Sequence, residues 1–438
     1  MHPAPSPRPL GLRGRGRRLG VLREGGLSLV REQALAAYRA ALAAVHGRAA
    51  VRAHLSRNPT EAAPHVVAIG KAGAAMLQGA RDALGTGWRR GLLITRRGYL
   101  DAELCGDARL RCLEAGHPAP DADSLRAGAA LLDFIAATPP DAALLFLISG
   151  GASALVEVLP EGVGLIDWQR ANAWMLANGL DIHDINRLRK RLSCIKGGRL
   201  ARLLEPRRAS VLLMSDVPGD APASIGSGLL VPDTAGPPSP ALITALPAWF
   251  QALLGRAPAM PESTDAVFGA VQARVLIRNG DALDAAAACL PRAPRRLPPL
   301  SGDALATGKA LAHELIASPP GWLLAGGETT VTLPAAPGEG GRCQSLALAA
   351  ALIMQGRAGV CLLAAGTDGS DGNGAVAGAL VDGATIARGR AAGLDPEHCL
   401  SGADAGRFLA ASGDLIVTGP SGSNVMDVVI ACKLGDAQ

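Results

Sequence analysis

A chain of 438 residues exceeds one ordinary hydrophobic core, and its 49% apolar and 18% charged content excludes a disordered polymer. Aromatic residues make up only 3% while Gly and Pro number 55 and 31, so the buried layers must be Ala, Leu and Val between many tight turns. The net charge of +5 resides in residues 1–27, which hold six Arg and one Glu. The rest carries 37 basic and 37 acidic residues, a neutral body without the basic face that nucleic acid requires.

Residues 1–27 lack the apolar stretch of a secretory signal and are broken by Pro and Gly, so a disordered basic extension is expected there. A helical pattern over 32–45 leads to the apolar run Val66-Val-Ala-Ile69, which ends in Gly70-Lys71-Ala72-Gly73. Lys71 then sits on the first turn of a helix, where backbone amides favour an anion. The chain uses 5 Lys against 38 Arg, so a retained Lys suggests a contact needing a compact ammonium; a solvated lysine would read the same way.

A second helix is expected over 124–137, with Asp121, Asp123 and Ser124 as cap candidates. The run 144–148 leads into Ser149-Gly150-Gly151-Ala152-Ser153, small residues that either admit a polyphosphate or pack a helix tightly on its strand. Residues 186–204 form a basic helical segment interrupted by Gly197-Gly198. The run 211–214 ends in Ser215-Asp216-Val-Pro-Gly-Asp220, whose two carboxylates suit Mg²⁺ or a hydroxyl nucleophile, or make a plain turn.

The Pro-rich stretch 232–263 reads as a boundary, giving an extension 1–27, an amino-terminal domain 28–262 and a carboxyl-terminal domain 263–438. In the second half, strands over 322–325, 360–365 and 415–417 end in Gly326-Gly327-Glu328, Gly366-Thr-Asp368-Gly-Ser-Asp371 and Thr418-Gly-Pro-Ser-Gly-Ser-Asn424. Arg342 opens an apolar helix, where the positive end of the dipole disfavours it unless an anion is bound. Six apolar runs ending in Gly and small polar residues predict an α/β protein: two domains, Rossmann-like parallel sheets flanked by helices, and an active site in the interdomain cleft.

The eight cysteines show no metal-ligand spacing and read as reduced thiols of a cytoplasmic protein. No apolar stretch is long enough to span a membrane. Residues 372–378 carry a loose dinucleotide-like Gly pattern displaced from its strand, a weak signal for NAD.

The order Gly70-Lys71-Ala72, Gly116-His-Pro, Ile148-Ser-Gly-Gly, Lys196-Gly-Gly, Ser215-Asp216-Val-x-Gly-Asp220, Gly341-Arg342, Thr367-Asp368-Gly and Thr418-Gly-x-x-Gly-x-Asn424 resembles class II glycerate kinases, the MOFRL family. That resemblance implies ATP-dependent phosphorylation of D-glycerate to 2-phosphoglycerate with Mg²⁺, on a small-molecule substrate, without nucleic acid or membrane, and with homo-oligomerisation left open. It implies catalytic roles for Lys71, Asp216 and Arg342, and nucleotide phosphates on Ser149, Gly150, Gly151 and Ser153. Substrate contacts fall to Lys196, Glu328, Asp368 and Asn424, and metal contacts to Asp216 and Asp220. The chain departs from the family at Cys343 and Ser345, beside Arg342, where Asn and Glu are usual. An NAD(P)H-dependent hydroxypyruvate reductase and a weakened small-anion binder are the alternatives.

Overall fold

In the computed structural model, the described residues are 15–60, 62–180, 182–372 and 374–435. Six strands form the first sheet: β1 (His65–Ile69), β2 (Gly91–Arg96), β3 (Leu110–Ala115), β4 (Leu144–Ile148), β5 (Ala209–Met214) and β6 (Val271–Ile277). Their order is β3-β2-β1-β4-β5-β6, and every pair is parallel. β1 and β4 are buried along their whole length, as a strand covered by helices on both faces must be. The order reverses between β1 and β4, which opens a crevice beyond their carboxyl ends. Gly70-Lys71 and the turn 149–153 lie at those ends.

The second sheet contains β7 (Arg295–Arg296), β8 (Gly321–Gly327), β9 (Val360–Gly366), β10 (Gly378–Asp382), β11 (Leu415–Ile416) and β12 (Asp427–Lys433), in the order β11-β10-β9-β12-β8-β7. Here the expectation of a parallel sheet is corrected. β12 runs antiparallel between β8 and β9, β10 is antiparallel to β9 and to β11, and only β7 with β8 is parallel. A strand buried on both faces is apolar throughout whichever way its neighbour runs, so composition carried no direction. The arrangement has a functional consequence. Asp427, the first residue of β12, stands in register with Gly327 at the end of β8 and Gly366 at the end of β9, so Glu328, Asp368 and Asp427 share one sheet edge.

Two domain limits are also corrected. β6 is the sixth strand of the first sheet, so a boundary at 262/263 severs that sheet; the changeover comes after Ile277. The Pro-rich stretch is a connection within the first lobe. Residues 15–27, expected as disordered extension, belong to helix α1 (Arg15–Ala44), which also absorbs the helix expected from residue 32; residues 1–14 lie outside the described residues. The helix is held by the second sheet: Tyr38 Oη donates to the Gly366 carbonyl at 2.6 Å, and Arg31 pairs with Asp414 at 3.1 Å and with Asp382. Sequence scanning weighs Pro and Gly locally and cannot count such distant partners.

One apolar cluster passes from Ala68, Met76 and Met214 of the first lobe through Tyr38 and Ala41 to Leu324, Leu363 and Ile430 of the second. The two lobes therefore meet over a shared core. Asp121 caps the helix Ala122–Ala136 with a reciprocal bond to Ser124, as expected. All eight cysteines are free. Among the described residues no helix is long and apolar enough to cross a membrane.

Candidate active site

The site is assembled from four strand ends and two helix starts. On the first lobe, β1 stops at Gly70, and Lys71 leads into α3, numbered after α2 (Gly47–Arg57) and spanning Gly73–Leu84. Lys71 Nζ donates to Asp368 Oδ2 at 2.8 Å, joining the end of β1 to the end of β9. Both groups are largely buried. Burial pushes the Asp368 carboxyl up, but the Lys71 ammonium and its hydrogen bond outweigh it and hold Asp368 below the usual carboxylate range.

Asp216, just past β5, is partly buried, and burial raises its carboxyl even though the Lys71 charge pulls the other way. Asn424 Nδ2 donates to Asp216 Oδ2 at 3.4 Å. Gly150 makes room for this pair: a Cβ there would overlap Asp216 Oδ2 and Asn424 Nδ2. From the second lobe, Arg342 grips Asp427 with two bonds, Nε to Oδ2 at 2.7 Å and Nη2 to Oδ1 at 2.9 Å, and reaches Glu328 Oε1 with Nη1 at 2.6 Å. Glu328 feels Arg342, Asp427, Asp216 and Lys71 together, so charges from both lobes form one electrostatic unit.

That unit holds two cations against four carboxylates. Burial is the largest influence on Glu328 and raises its pKa to about 7. The ionised form holds Nη1 of Arg342, so kcat/KM is expected to rise as pH passes upward through about 7. A Glu328→Gln enzyme should lack that limb, since its amide oxygen accepts from Arg342 at every pH. An unchanged pH profile in the variant would remove Glu328 from the ionisation.

The expected cost of Arg342 at a helix start is relieved by protein groups. Asp427 and Glu328 hold the guanidinium, and Asp371 caps the helix Arg342–Met354, accepting from the amides of Cys343 at 3.1 Å and Gln344 at 2.8 Å and from Gln344 Nε2 at 3.0 Å. Asp427, which holds the Arg342 guanidinium, is a residue of this unit that the sequence reading does not single out. Its signal was available: an acid at the mouth of the apolar run 428–432, directly after the 418–424 turn. Cys343 and Ser345 are buried in the same first turn. Burial together with the Asp427 and Asp371 charges keeps the Cys343 thiol protonated.

Other assigned residues are engaged elsewhere. Ser149 is buried and its Oγ accepts from the Ala72 amide at 3.0 Å, so its hydroxyl joins two loops. Ser153 Oγ is bonded to Ser227 Oγ at 2.7 Å. Lys196 is buried in an ion pair with Glu157, so its ammonium is spent on an internal carboxylate rather than facing the crevice. Gly151 lies against Lys71 and His117: a Cβ there would stand 3.3 Å from Lys71 Cγ and 3.1 Å from His117 Cδ2. Burial first, then Lys71 and Arg96, depress the His117 pKa to about 3, so its imidazole is neutral beside the ammonium.

Among the described residues no three His, Cys, Asp or Glu side chains are grouped as a metal cage. A Mg²⁺ ion that serves phosphoryl transfer takes only one or two carboxylates and completes its shell with phosphate and water oxygens. Asp216 fits such a partial set, and so does Asp220, whose Oδ1 is buried without a hydrogen-bond partner. The acidic surplus of the unit points the same way.

Residues 33–244 match the family described as Domain of unknown function (DUF4147), and residues 321–427 match the MOFRL family. A D-glycerate 2-kinase of Thermotoga maritima is 34% identical over 384 residues, 83% of this chain and 89% of that protein. The chain belongs to the glycerate kinases that carry the MOFRL domain. A protein of Agrobacterium vitis provisionally named a hydroxypyruvate reductase is 37% identical over 386 residues, 83% of this chain and 97% of its own. The crystal structure of the Thermotoga maritima glycerate kinase superposes with a TM-score of 0.79 at 30% identity, covering 93% of this chain and all of that one.

Proposed function

We propose that this chain transfers the γ-phosphoryl group of ATP to D-glycerate, giving 2-phosphoglycerate and ADP. The observation that carries the reading is the pairing of groups across the two lobes, Lys71 with Asp368 and Asn424 with Asp216, beside Glu328 and Arg342. Phosphoryl transfer asks a protein for positioned charge more than for covalent chemistry. Asp216 orients the attacking hydroxyl and accepts its proton. Lys71, steered by Asp368, neutralises the transferred phosphoryl group. Arg342 retains two N–H groups beyond those given to Asp427 and Glu328, and these suit the substrate carboxylate. Bound Mg²⁺, held by Asp216 and Asp220, would neutralise the charge on the polyphosphate.

A reductase reading gains from the strand order of the first sheet, which is that of dinucleotide-binding proteins. It fails at the first turn. The Lys71 amide donates to the Gly150 carbonyl at 2.9 Å and the Ala72 amide to Ser149 Oγ, so the amides that would receive a pyrophosphate are taken. Purified protein is therefore expected to form ADP from ATP only when D-glycerate and Mg²⁺ are supplied, and to leave NAD(P)H unoxidised with hydroxypyruvate. NAD(P)H oxidation at kinase-like rates would overturn the proposal.

A further inference from the structure

The crevice contains a cavity of about 250 Å³ whose walls come from both lobes and include Lys71. We infer that it seats the nucleoside of the phosphoryl donor, its base and ribose, with the polyphosphate running out past Lys71 toward Asp216. The inference rests on the kinase reading and places the donor within that site.

Three features select this occupant. The first is polarity: apart from Lys71 at its mouth the cavity has no cation, so it offers nothing to the carboxylate of a small hydroxy acid. Ala74 and Ala75 of α3 are among its lining residues, small apolar side chains against which a heteroaromatic ring can pack. The second is the set of neutral hydrogen-bonding groups that line it with them. His46 Nδ1 accepts from the Arg48 amide at 3.2 Å, which puts the imidazole proton on Nε2, and burial lowers its pKa so that the ring stays neutral. Gln78 Nε2 is held by Asp101 Oδ2 at 2.7 Å, which fixes the amide plane and leaves its carbonyl oxygen to accept from a ribose hydroxyl or an exocyclic amine. The third is the lid. Ser421 and Gly422 close the cavity from the second lobe, and the Gly47 amide donates to the Gly422 carbonyl at 2.9 Å, tying that lid to the start of α2.

The test is a cavity-filling variant measured separately toward each substrate. Ala74 is half-buried and lines the cavity, so Ala74→Phe places a ring in that space, and thermal unfolding of the variant checks that the fold is kept. ADP binding to wild-type and variant protein is measured by calorimetry without glycerate, and KM is measured for ATP and for glycerate. The variant should bind ADP about tenfold more weakly or worse, with KM for ATP rising in parallel and KM for glycerate nearly unchanged. Gln78→Ala should shift ADP affinity in the same direction by less. If wild type binds ADP but the variant binds it equally well, or if the glycerate KM moves instead, the cavity does not hold the nucleoside and the kinase reading stands. If wild type binds no adenine nucleotide at all, both fall.

Discussion

Replacing Lys71 by alanine is expected to lower kcat/KM for glycerate phosphorylation by about 10²-fold or more, because loss of a transition-state charge contact costs on the order of 3 kcal/mol. The variant should remain folded, since the side chain lies in the crevice with its ammonium on Asp368 rather than in the core. Removing the ammonium also leaves Asp368 buried and unpaired, which could by itself disturb the site. A double variant, Lys71→Ala with Asp368→Asn, separates the two effects: the loss should persist, because the missing contact is to the phosphoryl group. Lys71→Arg should not restore the rate. The Lys71 stem runs past Gly151 with no space to spare, and a planar guanidinium needs a different approach to Asp368. If the arginine enzyme turned over near the wild-type rate, Lys71 would be a generic positive charge.

The six runs read from the sequence as strands are strands, because continuous apolar stretches that stop at Gly and small polar residues mark buried strands in either type of sheet. Strand direction was not legible. Gly321–Gly327 and Val360–Gly366 look as they would in a parallel sheet, and the intervening partner, Asp427–Lys433, comes from the far end of the chain. The first domain limit failed for a related reason. Residues 271–277 include Gln272 and Arg274 at an exposed sheet edge, so β6 lacked the apolar signature that marked the inner strands.

The site divides the same way. Lys71, Asp216, Glu328 and Asp368 follow strands, and a residue just past the end of a strand is placed by the sheet whatever the sequence between strands does; Asn424 lies in the turn that leads into β12. Arg342 stands at the start of a helix packed on the second sheet, and the same sheet edge receives it. Lys196 follows a helix inside the first lobe, and no rule of sequence distinguishes a lysine aimed at a crevice from one aimed at Glu157, 39 positions away. The serines of the 149–153 turn were read as ligand groups because their type fits that chemistry. Their hydroxyls are used to fasten neighbouring loops, and what the turn gives the site is the missing side chain of Gly150.

That absence supports the second large effect. Gly150→Ala is expected to reduce kcat by about 10³-fold, the range seen when a positioned general base or charge-stabilising group is lost. A methyl group there would fall on Asp216 Oδ2 and Asn424 Nδ2, two side-chain ends that can rotate away but cannot stay in register with Lys71 once they do. The backbone itself raises no objection, because Gly150, unlike Gly151 with φ of 84°, is not in the left-handed region. Stability should therefore change little, and thermal unfolding should separate this variant from a misfolded one. Gly151→Ala is the contrasting control, since it strains the main chain and should cost stability together with rate. Full activity in a well-folded Gly150→Ala enzyme would mean that Asp216 and Asn424 need not hold their observed positions, and the base assigned to Asp216 would have to be sought elsewhere.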